Sequence, residues 1–154
     1  MPTRRIRLLV HNVRSLWNVG SFFRTCDALG VEHVHLTGYT ATPPRKEITK
    51  TAIGAEAFVP WDVDADPHAV VDRLRADGWQ IIALERHTDA IPLHEARLAD
   101  KTCLIVGHEL TGVPESLLTA ADLRVEIPML GQKESLNVAV AAGIALYACR
   151  FAST

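Results

Sequence analysis

Thr102-Cys103-Leu104-Ile105-Val106-Gly107-His108-Glu109-Leu110-Thr111-Gly112-Val113-Pro114 carries the architecture in miniature. Thr102 to Val106 is a short, continuous apolar run, the pattern of a strand covered on both faces. Gly107 ends it, and Pro114 opens a short helix. The same alternation extends in both directions. Upstream, Arg7–Asn12 forms a strand ending at a polar corner. Trp17–Leu29 forms a helix, with Val19, Phe22, Phe23, Cys26 and Leu29 at helical spacing and Gly30 after it. Val31–Thr37 alternates as a strand. Residues 38–56 are polar, carry Pro43-Pro44, and predict a long irregular stretch. A strand over Ala57–Trp61, a helix over Pro67–Asp77 and a strand over Trp79–Leu84 follow. Downstream come a strand over Leu123–Ile127 and a last helix over Ser135–Phe151. Strands alternating with helices predict an α/β fold with a mostly parallel sheet flanked by helices. No repeat or linker divides the chain, so 1–154 is expected to be a single domain.

Composition narrows the function. With 154 residues, 48% hydrophobic and 22% charged, the chain is neither disordered, collagen-like nor a coiled coil. The net charge of -2 excludes a strongly basic nucleic-acid coat, so a nucleic-acid partner must be held by a local patch. Cys26, Cys103 and Cys149 stand far apart, which argues against a disulfide scaffold or a Cys-rich zinc site and for a reducing, cytoplasmic setting. The apolar run Ile6–Val10 is broken by Arg7. It is too short for a signal peptide core of ~7–15 residues or a spanning helix of ~20, so no membrane partner is expected.

Three polar corners carry the chemistry. The first, Asn12 to Thr25, lies after a strand and at a helix start, where open α/β sheets bind ligands. Gly20 permits close approach of another group, and Arg24 sits four residues on, on the same face. On these residues alone, capping by Asn18 or Ser15 and a solvated Arg24 is the stronger account. The second corner, Ile105 to Pro114, has two glycines five apart and a carboxylate, Glu109, just after a buried strand. It is neither a Walker loop nor a zincin helix. The third, Glu126 to Asn137, is a Pro/Gly loop leading into a helix. Capping accounts well for Ser135 and poorly for Asn137. The run Val138–Tyr147 is almost wholly small or apolar, so its helix is buried on more than one side, within the domain or against a partner subunit. His33 and His35 share a strand face without an evident third ligand. They are expected to be half-exposed, and no metal is expected.

In this order, the three corners resemble the SpoU (TrmH-like) branch of the SPOUT methyltransferases. The first motif is Asn18-Val-Gly20-Ser-Phe-Phe-Arg24-Thr25, the second Val106-Gly107-His108-Glu109-Leu110-Thr111-Gly112-Val113-Pro114. The third is Ile127-Pro128-Met129 followed by Ser135-Leu136-Asn137-Val138-Ala139-Val140-Ala141. Lys50 to Glu56 also looks like the family, and Ala139 departs from it, since many relatives carry Ser there. The resemblance covers about residues 6–150. It implies a C-terminal trefoil knot, a homodimer with its site at the interface, and transfer of a methyl group from S-adenosylmethionine to a ribose 2′-hydroxyl in RNA.

The resemblance makes Arg24 the catalytic arginine. Two roles are open to it: clamping a phosphate and the developing alkoxide, which is preferred because a guanidinium is a poor base, or losing its proton in a special pocket to act as a base. Asn18 and Asn137 would orient Arg24 and the ribose, Glu109 would anchor the site through a cation or backbone amides, and Ser135 would add a hydrogen bond. The cofactor would lie against Gly107, Glu109, Ile127, Met129, Gly131, Ser135 and Leu136. Arg4, Arg5 and Arg7, with Arg45, Lys46 and Lys50, are candidate phosphate contacts. The chain is close to a catalytic core alone, which favours transfer RNA over ribosomal RNA. A non-catalytic RNA-binding relative and a generic nucleotide-binding protein are the other readings. The first is opposed by the intact Asn18, Arg24, Glu109 and Asn137, the second by the missing phosphate loops.

Overall fold

The computed structural model describes residues 4–152; the outermost parts of the expected domain, 1–3 and 153–154, lie outside the described residues. In chain order the strands are β1 (Arg5–His11), β2 (His33–Thr37), β3 (Trp61–Asp64), β4 (Gln80–Leu84), β5 (Ile91–Pro92), β6 (Lys101–Val106) and β7 (Leu123–Glu126). The helices are α1 (Leu16–Ala28), α2 (Lys46–Ala52), α3 (Pro67–Ala76), α4 (Glu115–Ala120) and α5 (Val138–Phe151). The strands form one sheet in the order β3-β2-β1-β6-β4-β7-β5, and every pairing is parallel. All strands therefore end at the same edge. The loops after β1, β6, β4 and β7 meet there because those strands are neighbours.

Alternating residues serve two cores, which is why the central strands look continuously apolar in sequence. Leu8, Val10, Leu104 and Val106 pack with Phe22, Phe23 and Leu146 on one face. Leu9, Cys103 and Ile105 pack with Val70, Val71, Leu74 and Leu117 on the other. Ser15 caps α1 by accepting from Asn18 N, and Asp66 caps α3 ahead of Pro67. At Gly20 the close approach is made by α2: a Cβ there would collide with Thr51 Oγ1 and the Ile48 carbonyl oxygen. No described helix is long and apolar enough to cross a membrane.

The structure corrects several expectations. Residues 38–56 are not wholly irregular, because α2 lies within them. Ile48 and Ala52, four apart, bury against α1, and two apolar positions among charges give too weak a periodicity to read. Residues 55–57 form a short 3-10 turn, so β3 starts at Trp61 rather than Ala57. β5 is two residues long and was not expected.

His35 is not half-exposed. It is 3% exposed and stands opposite Asp62 in the β2–β3 register. His35 Nδ1 and His33 Nε2 both meet Asp62 Oδ1, at 2.6 and 2.9 Å. Asp62 is the third group that the strand pattern of β2 could not show, because it comes from the neighbouring strand. Arg7 Nη1 lies 3.5 Å from His35 Nε2, and Arg73 lies 3.8 Å from Asp62. The carboxylate thus has two ring nitrogens and the Arg73 guanidinium around it.

Burial pushes His35 down to about 4, outweighing the attraction of Asp62. An unfolded His titrates near 6.5, so between those values the unfolded chain binds a proton that the native chain refuses. Stability should fall as pH drops from about 6.5 to about 4. Urea melts across that range should show the slope in the wild type and a reduced one in His35→Gln.

Candidate active site

The site starts from a tight loop. After β6, His108 and Gly112 pair through backbone bonds of 3.2 and 2.9 Å, and Gly112 takes φ 73°. His108 Nδ1 accepts from Leu110 N at 2.9 Å and Thr111 N at 3.2 Å. A Cβ at Gly107 would lie 2.5–2.8 Å from the backbone of Gly112 and Val113. The loop can therefore close only on glycine, and its closure aims Glu109 at the start of α1.

There the Glu109 carboxylate accepts from Arg14 N at 2.8 Å, Ser15 N at 2.7 Å and Asn18 Nδ2 at 3.1 Å. Donors at a helix entrance lack intrahelical partners and favour a negative charge. Burial works against the charged form. The N–H groups of Arg14 and Ser15 outweigh it and hold the Glu109 carboxyl below the usual carboxylate range. Of the two kinds of partner considered, a cation or backbone amides, Glu109 meets backbone amides.

Asn18 passes this polarity on. With Nδ2 given to Glu109, its Oδ1 accepts from Asn137 Nδ2 at 3.3 Å. Asn137 Oδ1 in turn accepts from Ala139 N at 2.9 Å and Val140 N at 3.3 Å, capping α5. This corrects the helix start: Asn137 is the cap, and Ser135 lies exposed in the preceding loop. Asn137 is well explained once the helix begins three residues after Ser135, at the first residue of the apolar run. One hydrogen-bonded line, Glu109–Asn18–Asn137, joins all three corners.

Beside it lies a cleft of ≈ 560 Å³ between the loops that follow β4, β6 and β7. Of the residues named for the cofactor, Gly107, Glu109, Ile127, Met129, Ser135 and Leu136 line this cleft, whereas Gly131 does not and has no neighbour within 4 Å of a built Cβ. The sequence reading missed Leu84, Glu85 and Arg86. Glu85 Oε2 accepts from Val113 N at 2.8 Å, and Arg86 Nη1 donates to Glu134 O at 2.6 Å, so these two residues tie the walls together. The available signal was their place at the end of a buried strand, where ligands of parallel sheets bind.

Arg24 is not brought to this line. It is exposed on α1 and makes no hydrogen bond or ion pair among the described residues. It shares a helix face with Ser21 (i, i+3). Ser21 and Thr25 wall a shallow depression with Asn137, Val140, Ile144 and Tyr147. Val140, Ile144, Tyr147 and Phe151 form an exposed apolar stripe along α5. Among the described residues, the only cluster of three or more potential metal-ligating side chains is His33, His35 and Asp62, on the far side of β1 from the cleft.

Comparison with known proteins gives a consistent result. The family model described as SpoU rRNA Methylase family matches residues 5–147. A 23S rRNA (guanosine(2553)-2′-O)-methyltransferase from Bacillus subtilis is 36% identical over 150 residues, 97% of this chain and 60% of its own length. A tRNA (guanosine(18)-2′-O)-methyltransferase from Thermus thermophilus is 34% identical over 92% of this chain and 72% of its own. The crystal structure of an AdoMet-bound rRNA methyltransferase from Sinorhizobium meliloti superposes with a TM-score of 0.89 at 28% identity, covering 97% of this chain and 57% of that one. The chain thus spans between about half and three quarters of the length of these proteins.

Removing the Glu109 carboxylate should loosen the junction of the loops. Glu109→Ala leaves two backbone N–H groups and the Asn18 amide without their acceptor, at a cost of about 1–3 kcal/mol. Glu109→Gln should cost less. Chemical denaturation of the two variants beside wild type measures the order.

Proposed function

The chain belongs to the SpoU rRNA methylase family, and we propose that it methylates a ribose 2′-hydroxyl of RNA with S-adenosylmethionine as donor. The observation that carries this reading is the Glu109–Asn18–Asn137 line, which ties the first motif corner to the two corners whose loops wall the cleft. The relatives named above act on ribosomal or transfer RNA. We assign transfer RNA as the substrate, with ribosomal RNA as the alternative.

The cleft suits the cofactor in size and chemistry. Its walls offer loop backbone groups for an adenine edge and the apolar side chains of Leu84, Ile127, Met129 and Leu136 for its faces. S-adenosylmethionine supplies a sulfonium methyl electrophilic enough to need no covalent enzyme intermediate. The chain's task is then to hold the ribose oxygen in line and to stabilise the charge that develops on it. Asn18 and Asn137, locked by Glu109 and by the α5 N–H groups, would orient the ribose. Ser135 at the cleft wall would add a hydrogen bond, and Arg24 would clamp a neighbouring phosphate and the developing alkoxide through its planar fork.

Arg24 stands apart from the cleft in one chain, which favours a site shared between subunits. We infer a homodimer formed through the α5 stripe, whose depression borders the face that carries Arg24. We also infer that the segment after β7 threads the β4–β6 connection as a trefoil knot. The placement of β7 between β4 and β5, and the Arg86–Glu134 bond across the two segments, support this. Three reduced, buried cysteines support a cytoplasmic setting; burial pushes the Cys103 and Cys149 thiols up to about 12.

Arg24→Ala should abolish methyl transfer while leaving cofactor affinity, measured by calorimetry, nearly intact. Arg24→Lys keeps the charge but loses the fork and should retain a small fraction of turnover. A pH–rate profile that shifts downward in Arg24→Lys would instead mark Arg24 as a base. Mapping methylated riboses in RNA from cells lacking the gene tests the function and separates transfer from ribosomal RNA.

Sedimentation should give a dimer at micromolar concentration, and Ile144→Glu should yield an inactive monomer. A wild-type monomer would exclude the shared site.

A further inference from the structure

A second cleft of ≈ 440 Å³ lies between the first and second corners, lined by Arg14, Trp17 and Glu47 on one side and by His108, Glu109 and Leu110 on the other. Residues 108–110 also line the cofactor cleft, so only the ridge they form separates the two. We propose that this second cleft seats the base of the target nucleotide or of its immediate neighbour, with the Trp17 indole as stacking platform. The inference rests on the RNA methyltransferase reading and extends it to a residue outside the three motifs.

Four observations lead there. Trp17 is 48% exposed, whereas Trp79 is buried, so a large indole ring stands in solvent at the edge of the second cleft. The backbone that carries the ring is anchored. The Trp17 carbonyl accepts from Thr51 Oγ1 at 2.8 Å, and Glu109 fixes the residues on either side, Ser15 and Asn18. Cations stand beside the ring, together with the Glu47 and Glu109 carboxylates of the cleft wall. Lys50 Nζ lies 6.0 Å from the ring centroid, and Arg14, Lys46 and Lys50 make no ion pair among the described residues. In a chain of net charge -2, Arg14 and Lys50 are cations left available at this cleft to a phosphate. Finally, the cleft offers both kinds of hydrogen-bonding group to a base edge. His108 Nδ1 accepts two backbone N–H groups, which leaves the proton on Nε2 as a donor, and the Glu47 carboxylate is an acceptor.

Geometry explains why the base belongs here. A ribose whose 2′-oxygen faces the first cleft must project its base or its flanking nucleotide away from the donor, and the ridge at 108–110 has open volume on its other side. Stacking tolerates any base, because every base has a π-face. Trp17 would therefore supply affinity for an unpaired nucleotide, and the edge groups its selectivity. A duplex cannot present a base to an indole without unstacking it, so the expected substrate segment is single-stranded.

Kinetics and fluorescence test this on the full-length protein. With an unmodified transfer RNA transcript, Trp17→Ala should raise KM for RNA about 10- to 100-fold. Its turnover at saturation and its S-adenosylmethionine affinity should change little. Trp17→Phe should recover most of the loss. Poly(U) should quench the intrinsic fluorescence of wild type, and the quenching should be largely lost in Trp17→Phe. A wild-type KM in Trp17→Ala together with quenching retained in Trp17→Phe overturns the platform. Trp17 emission that responds to protein dilution but not to RNA also overturns it, by showing that a second copy of the chain covers the ring. Quenching by poly(U) without methylation of any RNA would sustain the platform while defeating the methyltransferase reading.

Discussion

A single carboxylate organises the edge of the sheet where its strands end. Glu109 sits on a loop that follows the middle strand of the sheet, and it satisfies the N–H groups where the first long helix begins. Because its two oxygens only accept, they dictate the orientation of the Asn18 amide, which dictates that of Asn137, which caps the last helix. A charge placed at one point thereby fixes the rotational state of two neutral side chains and the starts of two helices. Removing the charge at the head of such a line leaves the Asn18 amide free to flip, while the α5 N–H groups still orient Asn137.

The parallel sheet makes this arrangement possible. β1 and β6 are neighbours in the sheet though far apart in sequence, and β4 and β7 continue the same edge. Their following loops can meet only because all strands run in one direction. Glycine at 107 and 112 lets the Glu109 loop fold tightly, and Glu85 braces it from the next strand through Val113 N. The cleft is thus walled by backbone held on rigid strands, which keeps its shape without many special side chains.

Much of this was legible in the sequence and some was not. The strands at 102–106 and 80–84 announced themselves because both faces are buried. The three corners stood out because Asn, Glu and Gly at strand ends have no packing role. The 46–52 helix was missed because its buried side is only Ile48 and Ala52. The helix start at Asn137 was misplaced because Ser135 satisfies the same capping chemistry. Glu85 and Arg86 were passed over because nothing local marks them; only the strand order puts them on the cleft. The partner of His33 and His35 was invisible for the same reason, since Asp62 reaches them from an adjacent strand. Arg24 shows the opposite case, a residue recognised from its motif that the single chain leaves unengaged.

The two outermost strands carry a further consequence. β5 is two residues long and contains Pro92, which has no N–H to offer a newcomer. β3 is four residues long and bears Asp62 and Asp64. Neither border of the sheet is a good template for another strand, so edge-to-edge polymerisation, the usual hazard of an open sheet, is discouraged at both ends. Self-association is left to the helical surface, where shape and side-chain fit decide the partner. A protein that keeps an aromatic ring and an apolar helix stripe in water can do so without precipitating when the borders of its sheet are closed to recruitment in this way.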